Sequence, residues 1–176
     1  MRPSASTSTT LNSRLLDYVF RRGAAEHAGG HYAANKQFIA PLPIRRPADD
    51  TLDRLGRELH SHARDRTRER AAFLAWLESA LGRRVAELNG ASRLARYDEL
   101  ALADVEAVLD ANARRLRLVP RARAFRELLR REWEASVERA AAHTAALAAA
   151  EARADDAVYA LYELTAAQRV LVDAEY

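Results

Sequence analysis

The chain has 176 residues, 49% of them hydrophobic and 30% charged, enough apolar content to fold rather than stay disordered. It contains no cysteine, which excludes disulfides and thiolate metal sites, and its apolar runs fall far short of the roughly 20 residues of a membrane span. The formal charge of +3 is uneven: residues 1–47 hold seven Lys/Arg against Asp17 and Glu26, a net of +5, whereas residues 48–176 hold 21 against 23, a net of −2. A positive surface is expected at the front of the chain and diluted behind it.

The opening MRPSASTSTT lacks the apolar core of a signal peptide, so a soluble, cytoplasmic protein is expected. Residues 1–9 read as a loose polar lead-in. LNSRLLDYVFRR fits a first helix, with Leu11, Leu15, Tyr18 and Val19 on one face and Gly23 as its stop. Residues 23–30, GAAEHAGG, read as a loop. The next stretch, HYAANKQFIAPLPIRRP at 31–47, breaks the pattern with Pro41, Pro43 and Pro47. Each X-Pro pushes the preceding residue toward extended geometry. An extended strand or crossing strap is expected, anchored by Phe38, Ile39, Leu42 and Ile44.

From residue 48 the apolar spacing turns helical. Asp49 or Asp50 can cap a helix that carries Leu52, Leu55 and Leu59 on one stripe. RDRTRER at 64–70 is charged on every face, either a solvated helical stretch or a break. Phe73, Trp76, Leu77, Leu81, Val85 and Leu88 form a second stripe, ended by Asn89–Gly90. Residues 91–101 form a connector anchored by Tyr97, and Asp104–Leu116 a third helix closed by Pro120. A long helix is expected over 122–164, with Phe125, Leu128, Trp133, Val137, Leu147, Val158 and Leu161 along its seam. Thr165 and Gln168 have the spacing of a capping box for a last short helix. The abundance of alanine predicts slender helix packing and a modest core.

Few residues invite catalysis. His60 and His62 are two apart, about 200° around a helix, and cannot share an ion as an i, i+4 pair does. The pairs Asp49–Asp50 and Asp155–Asp156 read as caps or solvated faces. Glycine is too scarce for a phosphate-cradling loop, and there is no Asp/Glu-x-Lys nuclease triplet. A non-catalytic chain without metal or cofactor is expected. A second basic cluster, Arg114, Arg115, Arg117, Arg121, Arg123, Arg126, Arg130 and Arg131, could track a DNA backbone or pair with acidic residues on neighbouring helices. The acidic residues Glu132, Glu134 and Glu138 that follow favour pairing. Trp76 and Trp133 read as core or partner-facing anchors rather than base-stacking platforms.

Three stretches resemble one family. DDAVYALYELTAAQRVLVD is similar to the end of single-chain restriction–modification enzymes, in which an adenine-specific DNA methyltransferase and a nuclease are fused. Asp155, Val158, Tyr159, Leu161, Tyr162, Leu164 and Thr165 match its closing signature, while Ala154 and Ala157 replace larger aliphatics, which implies looser packing there. Tyr32, Asn35, Lys36, Gln37, Phe38, Pro41, Leu42, Pro43 and Ile44 resemble the tail of that family's target-recognition domain, and LNSRLLDYVFRR its preceding helix. The region Phe73–Val137 is similar to the family's helical linker. The Asn-Pro-Pro-Tyr/Phe methyltransferase motif and the S-adenosylmethionine glycine motif are absent from the sequence.

The resemblance implies the C-terminal portion of such an enzyme, as a separately encoded subunit, a truncated gene or a mis-called start. The expected fold is mainly α, a helical bundle with one very long helix, preceded by a short helix and an extended proline-pinned segment from an incomplete recognition domain. Residues 1–47 would end the recognition domain and 48–176 form a helical tail. The implied partner is double-stranded DNA, with Arg21, Arg22, Lys36, Arg45 and Arg46 meeting phosphates, and beyond it a separate methyltransferase or nuclease chain. The alternative is a helical interaction protein that docks on such a subunit without touching DNA.

Overall fold

A computed structural model describes residues 5–24, 26–27, 31–32 and 36–176, with side chains for 6–24 and 37–176. The chain is mainly helical, and its longest helix has 39 residues. The elements are α1 (Ala5–Leu11), α2 (Arg14–Gly23), β1 (Glu26–His27), β2 (His31–Tyr32), α3 (Lys36–Ile39), α4 (Thr51–Leu81), α5 (Ala91–Leu94), α6 (Leu102–Ala111), α7 (Arg123–Leu161) and α8 (Ala166–Asp173). Single 3-10 turns fall at Val85–Glu87, Tyr97–Glu99 and Ala113–Arg115. Two compact units emerge: Met1–Ser61 with Leu147–Tyr176, and His62–Ala146. This division differs from the cut at residue 47, because both ends of the chain share the first unit.

In the first unit, Leu15, Leu16, Leu52, Val158, Tyr159 and Val172 are buried together, with Tyr18, Val19, Leu42, Leu161, Tyr162 and Leu164 packed around them. The polar lead-in is a helix, Ala5–Leu11, and the helix expected over 11–22 begins only at Arg14. Their junction is made by hydroxyls. Ser13 caps α2, its Oγ accepting the Leu16 N–H at 3.4 Å while donating to the Thr10 carbonyl at 2.7 Å. Thr10 donates to the Ser6 carbonyl at 2.9 Å and Thr9 to the Leu52 carbonyl at 3.3 Å. These side chains are buried because each hydroxyl has an acceptor, which removes most of the cost of taking it out of water.

The loop expected at 23–30 contributes one strand of a short antiparallel ladder, Glu26 facing Tyr32 and His27 facing His31. Among its described residues the stretch 31–47 is not uniformly extended: His31–Tyr32 is a strand, Lys36–Ile39 makes one helical turn before Pro41, and residues 43–47 have no regular structure. The prolines act where the geometry allows, since nothing restricts the residues two or more before Pro41. Helix α4 starts where expected, the Asp49 carboxylate accepting the Thr51 N–H at 2.9 Å. That bond holds the Asp49 carboxyl below its ordinary range. RDRTRER is continuous helix.

In the second unit, Phe73, Leu77, Leu81, Val85, Leu88, Leu94, Tyr97, Val105, Val108, Leu109 and Leu129 form the core. The apolar stripe over 73–88 outlasts its helix: α4 stops at Leu81 because Gly82, at φ +61°, takes the left-handed position and lets the Arg83 N–H reach the Glu78 carbonyl. The helix expected over 104–116 occupies Leu102–Ala111, closed by the fully buried Asn112. On α7 the seam falls one position later than expected: Leu128 is exposed, while Leu129 is buried, as are Ser136 and Ala140 further along. Trp133 is half-buried and donates to the Tyr97 carbonyl at 3.4 Å, as a core anchor should.

Helix α7 ends at Leu161, three residues before the expected end. The Leu164 N–H bonds the Tyr159 carbonyl and the Glu163 N–H the Ala160 carbonyl, with Glu163 at φ +57°. This is the reversal that glycine usually makes, here made by a glutamate. Thr165 and Gln168 then form the expected capping box of α8.

Candidate nucleic-acid interface

The two stretches that carry the family resemblance meet in the first unit. The Tyr162 hydroxyl donates to the Pro43 carbonyl and accepts the Arg45 backbone N–H at 3.0 Å. Leu42 packs on the core that Leu161, Tyr162 and Leu164 complete. Earlier in the same signature, Asp155 holds α2: it accepts the Arg14 backbone N–H at 2.9 Å, and Arg14 Nε lies 3.4 Å from the same carboxylate. Burial raises the Asp155 pKa, and the Arg14 contacts oppose that rise. Ala154 is buried rather than loosely packed, and Ala157 lies against the core. Small side chains let the helix approach its neighbours closely instead of leaving gaps.

The proposed phosphate contacts occupy two edges of this unit. Arg21 and Arg22 lie in the last turn of α2. Arg21 Nε is 2.8 Å from Asp17, and its guanidinium lies 5.4 Å from the Tyr176 ring centre. Arg22 sits 4.4 Å over the Tyr18 ring and pairs with Glu175 at 3.1 Å. Arg45 donates to the Leu161 carbonyl at 3.0 Å, lies over Tyr162 and approaches Glu163 at 3.8 Å. Arg46 is exposed. Helix α3, which begins at Lys36, packs on α2, while the Lys36 side chain, like Asn35 and the Tyr32 side chain, lies outside the described residues.

Arg14 belongs to this group although the sequence reading passed over it. It lies 3.5 Å from Asp173 and 5.6 Å from the Tyr176 ring centre. Seven and eight residues separate it from Arg21 and Arg22, close to two full helical turns, and that spacing was the available signal. All these cations keep substantial exposure, 48% for Arg14, 40% for Arg21, 62% for Arg22 and 52% for Arg45. Pairs at such exposure are weak, about 0–1 kcal/mol each, so a polyanion can compete for them.

The second basic cluster, in the other unit, is engaged in part: five of its eight arginines pair with acidic residues, two of them with a neighbouring helix. Arg121 and Arg126 pair with Asp110 at 3.0 and 3.2 Å, and Arg126 also with Glu106 at 3.3 Å. Arg123 pairs with Glu127 at 2.7 Å, Arg130 with Glu134 at 3.6 Å and Arg131 with Glu132 at 2.9 Å. An open cleft of about 320 Å³ there is lined by Glu106, Arg121, Arg123, Arg126, Glu127 and Arg130, its charges largely matched.

Among the described residues no three His, Asp or Glu side chains converge as metal ligands, and no helix is long and apolar enough to cross a membrane. No protein-family profile matches the chain, and neither a curated protein nor a solved structure is significantly similar to it.

Proposed function

We propose that the chain is the non-catalytic, DNA-binding end of an adenine-specific DNA methyltransferase or fused restriction–modification enzyme, positioning duplex DNA for catalytic domains whose motifs its sequence lacks. The observation that supports this reading is the Tyr162 contact with Pro43 and Arg45: the strap and the closing signature, 119 residues apart, form one packed element. Arg14, Arg21 and Arg22 on α2, and Arg45 and Arg46 on the strap, then offer exposed cations on which phosphates position the duplex without selecting its sequence.

Anisotropy of a labelled duplex titrated with the chain tests this. Each phosphate neutralised contributes about −0.9 to the slope of log affinity against log salt, so four or five contacts predict a slope of about −4. The Arg21→Ala/Arg22→Ala double variant should flatten that slope by nearly two. Binding indifferent to salt sinks the reading. Methyl transfer by the chain alone should stay at background.

A second reading, docking on a methyltransferase or nuclease subunit, is favoured by one observation. Val170 and Leu171 on α8 are 67% and 60% exposed side by side. Co-elution with such a subunit, lost in Val170→Asp but kept in Arg21→Ala/Arg22→Ala, would select it.

A further inference from the structure

The segment Asp173–Tyr176 lies along the cationic face of α2 and touches every arginine that helix carries. Asp173 Oδ1 is 3.5 Å from Arg14, and Glu175 Oε1 is 3.1 Å from Arg22. The Tyr176 ring lies beneath the guanidinium groups of Arg14 and Arg21, at 5.6 and 5.4 Å. Its hydroxyl donates to the Asp17 carboxylate, so the ring is held at both its face and its edge. Asp173 is itself tied to the core by the Tyr159 hydroxyl at 2.7 Å, which fixes where the segment leaves α8.

We infer that residues 173–176 are a built-in competitor for the polyanion that α2 binds: two carboxylates and an aromatic face occupy the guanidinium groups a phosphate backbone would otherwise take. The inference rests on the DNA-binding reading and adds regulation to it. Exposed ion pairs are individually weak, but a segment anchored next to its target acts at a high effective concentration, so it raises the threshold for duplex binding without abolishing it. Displacement of the segment and docking of DNA are then one exchange, in which phosphates replace carboxylates on the same donors.

The test is duplex affinity of the full chain and four variants at fixed salt, by anisotropy. Tyr176→Ala removes the ring and hydroxyl without changing net charge, and Glu175→Gln/Tyr176→Ala also frees Arg22. Glu151→Gln, exposed on α7, controls for charge alone. The double variant should bind about tenfold tighter and Tyr176→Ala a few-fold tighter, with Glu151→Gln near wild type. If the tail variants match wild type, or gain no more than Glu151→Gln, while Arg21→Ala/Arg22→Ala weakens binding, the competitor is overturned and the DNA-binding reading stands. If Arg21→Ala/Arg22→Ala leaves affinity unchanged, the reading fails and the competitor with it.

Discussion

The Asn112 carboxamide is 1% exposed and uses both its ends. Its Nδ2 donates to the Asn89 and Val108 carbonyls at 2.9 and 2.8 Å, and its Oδ1 accepts the Asn89 N–H at 3.0 Å. It therefore satisfies the backbone of the turn that carries Gly90, where φ is +89° and a Cβ would stand 3.0 Å from Val108. Asn112→Ala should cost about 1–3 kcal/mol, because it removes the partner of three backbone groups, the buried Val108 carbonyl among them, and denaturant titration measures it. A loss below about 0.5 kcal/mol would mean water takes over those bonds. Glu163 gives the opposite expectation. Its left-handed backbone suits glycine, so Glu163→Gly should raise stability by about 0.5–1 kcal/mol, visible as a higher Tm. Neither residue announced its role. Both fall inside the longer helices expected over 104–116 and 122–164, and a glutamate there carries no mark of the left-handed turn its neighbours impose.

At the scale of elements, the cues that were legible are those with a local cause. Apolar spacing placed α4, α6 and α7, and Thr165 with Gln168 placed the start of α8. Thr165→Ala should lower stability by about 1 kcal/mol, and an equal loss in Gln168→Ala would show that both halves of the box matter. Gly82 was a visible stop that the apolar stripe masked, because Val85 and Leu88 continue the core after the helix has ended. The hydroxyl-rich junction of α1 and α2 was illegible for a different reason: serine and threonine read as surface unless their acceptors are known. The same holds for the network linking α4 to α7. Ser136 Oγ gives its one proton to Glu69 at 2.7 Å, so the Tyr97 hydroxyl, 2.5 Å away, must donate to Ser136. Arg139, at 2.8 Å, holds the Glu69 carboxyl below the ordinary value of 4.5. A lowered carboxylate pKa stabilises the fold fully above 4.5, and that contribution disappears as pH falls through the folded value. Stability of wild type against Glu69→Gln should therefore converge in acid and separate at neutral pH, as thermal melts across that range will show.

For the whole molecule, the sequence was legible in class and organisation of helices but not in how the chain is partitioned. The family resemblance implied a boundary at residue 47. The packing of Leu15 and Leu16 against Val158 and Val172 instead joins the two ends, and no periodicity within either segment encodes that long-range choice. Both tryptophans, Trp76 and Trp133, belong to the other unit, which makes their fluorescence a reporter of that unit alone. Val172→Asp places a charge in the shared core of the ends, so helix content by circular dichroism should fall at temperatures where tryptophan emission is unchanged. Coincident transitions by both probes would show that the units melt as one.

The pairing of early and late residues also orders events on the ribosome. Everything the second unit needs has been synthesised once Ala146 is added. Helix α2, though made before that unit, has no completed core to join until Val172 emerges. Until then its apolar face and arginines stand open to other molecules, and residues 172–176 are the ones that close them.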